Sequence, residues 1–141
     1  MQIGNIKLFQ DRFEEVVSKL ITPQMLIQEI LIDTKLNLQD IDAKFHRILS
    51  QFEPFGPQNE SPIFLSQKVS LIGPAYLVGS NHLKMTIKQE NSPSFDCIGF
   101  GLSEHIQAIN SGKPFDICYS IEENVWRGKK NLQLNIKGIR Y

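Results

Sequence analysis

Within NVWRGKKNLQLN, residues 124–135, the chain's only tryptophan, Trp126, is followed at once by Arg127, Lys129 and Lys130. An indole offers a flat π surface on which an unpaired base can stack, and the neighbouring cations offer charge for phosphates. The same residues also describe a charged, solubilised hairpin tip whose tryptophan covers the end of a core. In the segment that follows, side chains of an extended chain alternate, with Leu132, Leu134 and Ile136 on one side and Asn131, Gln133, Asn135 and Lys137 on the other. That second side carries hydrogen-bond donors and no carboxylate. HLKMTIKQE repeats the pattern: Leu83, Met85 and Ile87 form a core face, and His82, Lys84, Thr86 and Lys88 a basic one.

Catalytic constellations are harder to find. His46, His82 and His105 lie in separate elements, and neither an HxxxH spacing, a DHH run nor paired carboxylates accompany them. No serine stands in a nucleophile elbow, and Gly99 and Gly101 are not followed by the residues that would cradle a phosphate. Asp33, Asp40 and Asp42 cluster before a predicted helix, where carboxylates are commonplace, so no metal site and no catalytic residue is assigned. Cys97 and Cys118 stand in apolar contexts without CxxC spacing and read as reduced packing residues.

The 141 residues, 41% apolar and 21% charged, suit one compact domain, or a small domain with an appendage. No run approaches ~18 consecutive apolar residues and no basic, then apolar, leader opens the chain, from which a cytoplasmic location is expected. The formal net charge is zero, which argues against a wholly basic nucleic-acid binder. The charge is uneven, however: residues 1–53 hold six Lys/Arg against eight Asp/Glu, and residues 54–141 nine against seven.

The elements that must position these residues are legible from periodicity. In IKLFQDRFEEVVSKLI, Ile6, Phe9, Phe13, Val16, Val17 and Leu20 recur at helical spacing up to Pro23. MLIQEILIDTKLNL, residues 25–38, reads as a strand or extended crossing. A second helix follows, with Asn37 as its expected cap and Ile41, Phe45, Ile48 and Leu49 on one side. Two helices and a lone strand leave the strand's hydrogen-bonding edges unsatisfied, so this part reads as a connector belonging to a longer chain. PFGPQNESP, residues 54–62, marks the boundary. Beyond it come IFLSQKVSLIG, HLKMTIKQE and SFDCIGFG as strands, then LSEHIQAIN as a helix, with Ser103 as cap and Gly112 as stop, and finally PFDICYSIEENVW and NLQLNIKGI. Many α+β domains share such an order. Among them is the five-stranded OB-fold β-barrel, with one helix between strands 3 and 4, which commonly binds oligonucleotides.

Several stretches together resemble the carboxyl-terminal part of the RecJ family, single-strand-specific 5′ exonucleases of the DHH phosphoesterase superfamily. PFGPQNESPIF is similar to the family's boundary motif, HLKMTI to its second barrel strand, FDCIGFG to its third, and YSIEENVWRGKKNLQLNIKGIR to its closing hairpin. IDTKLNLQDIDAKFHRILSQFEPFG resembles the connector, and the first helix looks like the last helix of the second catalytic domain. Gln58 stands where the family usually has glycine, and Glu123 where it is more often apolar. The DHH and GGH motifs of the family are not present in these residues.

The resemblance implies an α+β chain with 1–53 as helical connector and 54–141 as an OB-fold that holds single-stranded DNA for a 5′–3′ exonuclease acting in repair and recombination. No cofactor is expected in this segment, while Mg or Mn is expected in the whole enzyme. Expected partners are single-stranded DNA, the upstream catalytic domains and single-strand-binding protein. The expected nucleic-acid contacts are Lys84, Arg127, Lys129 and Lys130 to phosphates and Trp126 as a stacking platform. Asn124 and Gln133, which lean on the family pattern, are expected to contact sugar or phosphate. A protein-docking module is the rival reading, since Trp and Arg are enriched at such interfaces too.

Overall fold

The computed structural model describes residues 4–20 and 29–141. The chain forms two compact units, residues 1–30 and 31–141. In the first, helix α1 (Gly4–Leu20) carries Ile6, Leu8, Phe9, Phe13 and Val16 exposed, with the Phe9 and Phe13 rings stacked at 5.9 Å one helical turn apart.

In the second unit, the expected extended segment shrinks. Residues 25–28 of it lie outside the described residues, and only β1 (Thr34–Lys35) is strand, running parallel to Phe64 and Leu65. Asp33 holds this junction twice: its N–H donates to Ile63 O at 2.8 Å, and its carboxylate accepts from Ile63 N at 2.8 Å. A 3-10 turn (Leu38–Asp40) then leads to α2 (Ala43–Leu49). The helix cap is Asp42 and not Asn37: Asp42 is extended, and its Oδ1 accepts from Phe45 N at 2.7 Å. Asn37 precedes the intervening 3-10 turn and makes no side-chain cap bond. Ile41 and Leu49 are buried but Ile48 is 48% exposed, because a seven-residue helix turns one row, 41–45–49, to the core and leaves Ile48 beyond its edge.

Five longer strands follow: β2 (Phe64–Val78), β3 (His82–Lys88), β4 (Phe95–Gly99), β5 (Phe115–Trp126) and β6 (Lys129–Arg140). Together with β1 they make a six-stranded sheet in the order β1-β2-β3-β4-β6-β5, and β5 pairs back onto β2. Each of β2 to β6 therefore has neighbours on both sides. The β4–β6 pairing is parallel, and the other four pairings among β2 to β6 are antiparallel.

β2 makes this circuit possible by bending. Its first half pairs with β5 and its second with β3, with register shifts at Ser66/Val69 and Ile72/Tyr76, where Lys68 (φ 54) and Gly73 (φ 67) turn left-handed. The sequence suggested a strand ending at Gly73. It continues through Pro74, which sits inside the second register shift, where the ladder is interrupted and asks no N–H of it.

Between β4 and β5 lie a 3-10 turn (Ser103–His105) and α3 (Ile106–Ile109). Ser103 is not the cap. It is the first residue of the 3-10 turn, and its hydroxyl donates to Asn81 Oδ1 at 2.6 Å. Gly112 (φ 84) ends the segment as a left-handed stop. At the boundary segment, Gly56 and Asn59 exchange N–H···O bonds of 2.8 and 2.9 Å. Gln58 turns this corner without a positive φ, so a side chain is accommodated there.

The core is built from the inward rows of the strands, including Leu83, Met85, Ile87, Phe115, Tyr119 and Leu134, together with Leu38, Ile41 and Leu49. Full burial of such an apolar side chain contributes about 1.5–3 kcal/mol, so residues 38–49 are part of what holds the sheet. Gln89 reinforces this join: its Oε1 accepts from Leu38 N at 2.9 Å, and its Nε2 donates to Gln67 O at 2.6 Å. Cys97 and Cys118 are free and buried, and burial pushes both thiols up, which makes them packing groups rather than nucleophiles.

Candidate nucleic-acid interface

The β5–β6 hairpin closes through Arg127 (φ 50) and Gly128 (φ 75), between Trp126 and Lys129. Two central residues with positive φ mark a two-residue turn matched to the twist of the strands, and glycine takes the second position without a Cβ clash. This tight turn fixes the register: Trp126 opposes Lys129, Val125 opposes Lys130, Asn124 opposes Asn131, Glu123 opposes Leu132 and Glu122 opposes Gln133. Directly opposed residues share a face. Trp126, Lys129, Asn124, Asn131 and Gln133 therefore project to one side, and Lys130, Glu123, Val125 and Leu132 to the other.

Trp126 is 67% exposed and covers no core. The Arg127 guanidinium lies 5.7 Å from its ring centroid, a cation–π contact of about 0.5–1 kcal/mol at an exposed site. The ring therefore has one cation beside it and much of its surface open. On the other side of the ribbon, Lys130 Nζ lies 3.3 Å from Glu123 Oε1. This pair occupies the position where a hydrophobic residue was expected at Glu123, and being solvated it is worth less than about 1 kcal/mol.

Lys84 joins the Trp126 side from β3. It shares a depression of about 140 Å³ with Tyr76, Thr86, Asp96, Asn124 and Gln133, so three of the residues singled out in the sequence meet here. Trp126, Arg127 and Lys129 lie at the far end of the same ribbon face or its turn. Lys130 is separated from them: it lines a larger cleft of about 810 Å³ with His46 and Arg47 of α2, over apolar groups such as Ile41, Phe95 and Leu132.

The polar face also carries carboxylates, contrary to the expectation drawn from β6 alone. Asp96 of β4 stands opposite Gln133 and accepts from Thr86 Oγ1 at 2.9 Å, while Glu122 of β5 accepts from Asn135 Nδ2 at 2.8 Å. Both are engaged by neutral donors and keep their charge, so Lys84 and Lys129 share the face with two carboxylates. Tyr76, Thr86 and Asp96 were not singled out as site residues in the sequence. Thr86 carried a signal, the alternation that also exposes Lys84; Asp96 reaches the face through its pairings with Thr86 on β3 and Gln133 on β6.

No group of three or more His, Cys, Asp or Glu side chains among the described residues is placed to hold a metal ion. The one acidic cluster suggested by the sequence is dispersed, since Asp33 is bonded to Ile63 N and Asp42 caps α2. No helix among the described residues is long and apolar enough to cross a membrane.

Comparison with known proteins agrees with this architecture. The RecJ of Escherichia coli K12, a single-stranded-DNA-specific exonuclease, is 28% identical over 146 residues, covering 99% of this chain and 24% of that protein. The RecJ of Salmonella typhimurium is 27% identical over 132 residues, covering 93% of this chain and 22% of that protein. The chain thus spans about a quarter of the length of these relatives. Crystal structures of Thermus thermophilus RecJ, in complex with Mg²⁺ and with Mn²⁺, each superpose with a TM-score of 0.68 at 18% identity over 100% of this chain, covering 21% and 20% of those chains, and so share its fold. The model of the RecJ OB domain matches residues 32–138, from just before β1 to near the end of β6, and the chain belongs to that family.

Proposed function

We propose that this segment is the single-stranded-DNA-binding part of a RecJ-like 5′–3′ exonuclease acting in repair and recombination. In this reading the circuit β2-β3-β4-β6-β5 is the five-stranded barrel of an OB fold. Residues 1–53 serve as the connector to upstream catalytic domains, and residues 54–141 as the nucleic-acid-binding domain. The observation that carries the reading is the shared face: an exposed tryptophan and Lys129 at a hairpin tip, continuous through Asn124 and Gln133 with Lys84. Aromatic planes for bases and spaced cations for phosphates are what sequence-tolerant single-strand binding requires. Lys84, Arg127 and Lys129 contact phosphates, Trp126 stacks, and Asn124 and Gln133 meet sugar or phosphate oxygens. Cleavage, with its Mg²⁺ or Mn²⁺, belongs to the rest of the protein, and no step of it is assigned to these residues.

A second reading is favoured by the 810 Å³ cleft behind the hairpin, whose apolar floor and charged rim suit a protein segment, from the catalytic domains or from single-strand-binding protein. Titration of labelled single strands and duplexes by fluorescence anisotropy, at several salt concentrations, separates the two. DNA binding predicts a preference for single strands and a log–log salt slope of roughly 2, about 0.7 for each of three phosphate contacts. Docking alone predicts no salt-dependent DNA binding.

A further inference from the structure

The polar face ends, away from the Trp126 tip, on a second exposed aromatic side chain. Tyr76 is 55% exposed and lies on β2 opposite Lys84. Lys84 opposes Ile98, and Ile98 opposes Asn135, so Tyr76 closes a cross-strand row that runs from β6 to β2. It also borders the depression that contains Lys84, Asn124 and Gln133.

Its placement is built. The register shift between Ile72 and Tyr76 interrupts the alternation of β2 just before it, a device that re-aims a side chain. The preceding residue is then clamped: Ala75 N donates to Asn110 Oδ1 at 2.9 Å, and Asn110 Nδ2 donates to Ala75 O at 3.2 Å. A side-chain amide from the end of α3 thus holds the backbone that presents an exposed ring.

Resting on the single-strand reading above, we propose that Tyr76 is a second base-stacking platform, and that the DNA strand runs diagonally across this face from Trp126 to Tyr76 with Lys84 beside its phosphates. The path is about 20 Å along β6, at ~3.3 Å per residue, and about 14 Å across three strand spacings. A path of that size suits a short footprint, toward the lower end of the ~4–16 nucleotides that one OB fold covers.

The test uses the 141-residue chain and thymidine oligonucleotides of graded length, read by anisotropy, with Tyr76→Ala, Tyr76→Phe and Trp126→Ala, and a thermal melt of each. Tyr76→Ala weakens binding roughly 5- to 150-fold for oligonucleotides long enough to reach from Trp126, and Tyr76→Phe stays within about twofold. The shortest oligonucleotides, which occupy one platform at a time, show a smaller loss in either alanine variant. Photocrosslinking of 5-iododeoxyuridine oligonucleotides to the unaltered chain gives adducts at both Tyr76 and Trp126, and this arm holds even if Tyr76→Ala folds poorly. An unaltered chain that binds DNA, with full affinity in Tyr76→Ala at every length or with no Tyr76 adduct, overturns the second platform and leaves the Trp126 site standing. An unaltered chain that binds no oligonucleotide overturns both.

Discussion

Tyr119 Oη lies 2.8 Å from Ser66 Oγ in the buried core, and the direction of that bond follows from a third group. Ser66 Oγ donates its only proton to Leu36 O at 2.6 Å, so Tyr119 must donate to Ser66. The relay joins β5, β2 and the segment ahead of α2. Ser66→Ala strips both bonds at once and leaves the tyrosine hydroxyl and the Leu36 carbonyl without these partners, at a cost of about 1–3 kcal/mol. Tyr119→Phe removes one bond and costs less, about 0.5–1.5 kcal/mol. Urea denaturation of the two variants checks the order.

The same tyrosine gives an alkaline signature. Burial pushes its phenol up to about 12 from the ordinary 10.0. A folded-state value above the unfolded one means a stabilising contribution that is fully present below about pH 10 and is lost as pH rises toward 12. The stability difference between the unaltered chain and Tyr119→Phe therefore shrinks between these limits, as measured by chemical denaturation in that window.

Trp126 touches solvent more than protein, so its two roles separate cleanly. Trp126→Ala is expected to melt close to the unaltered chain while losing about 1–3 kcal/mol of single-strand binding. Parallel thermal melts and anisotropy titrations decide it: a drop in melting temperature with affinity falling only as folding fails would return the ring to a structural role.

Lys129 and Lys130 adjoin in sequence but project to opposite faces, and their charge reversals should differ. Lys129→Glu lowers the log–log salt slope of DNA binding by about 0.7, the loss of one phosphate contact. Lys130→Glu breaks the Glu123 pair and sets two carboxylates together above the α2 cleft, with little change in slope. Equal effects of the two reversals would place the strand at the hairpin turn itself rather than along one face.

Local patterns carried the reading of the sequence as far as local geometry reaches. The alternation in HLKMTI separated core from surface, because the two-residue period of a strand is visible without knowing its neighbours; in NLQLNI it placed Leu134 and Ile136 in the core, but Asn135 on the polar side is buried as well. Grouping Lys130 with Lys129 treated the tip as a cluster, although the two-residue turn already implies opposite faces for adjacent residues. Asp96 joined the polar face through the pairings of β4 with β3 and β6, and Glu122 through the hairpin register, neither of which a single strand displays. Tyr76 was missed because Gly73 and Pro74 are strong stop signals; only the bend that carries β2 from β5 to β3 turns them into the middle of a strand. The cap moved from Asn37 to Asp42 for a similar reason, since both residues can cap and the intervening 3-10 turn consumes the first.

Past Ile121 on β5 and before Leu132 on β6, every residue of the hairpin is exposed, and residues 123–132 pair only with one another. A ribbon of two strands with no buried face adds little to global stability and takes little from it. The finger that carries Trp126 is thus thermodynamically insulated from the core that bears it. Its length, charge and aromatic content can be exchanged, in the course of evolution or by grafting, with the consequences confined to what it touches.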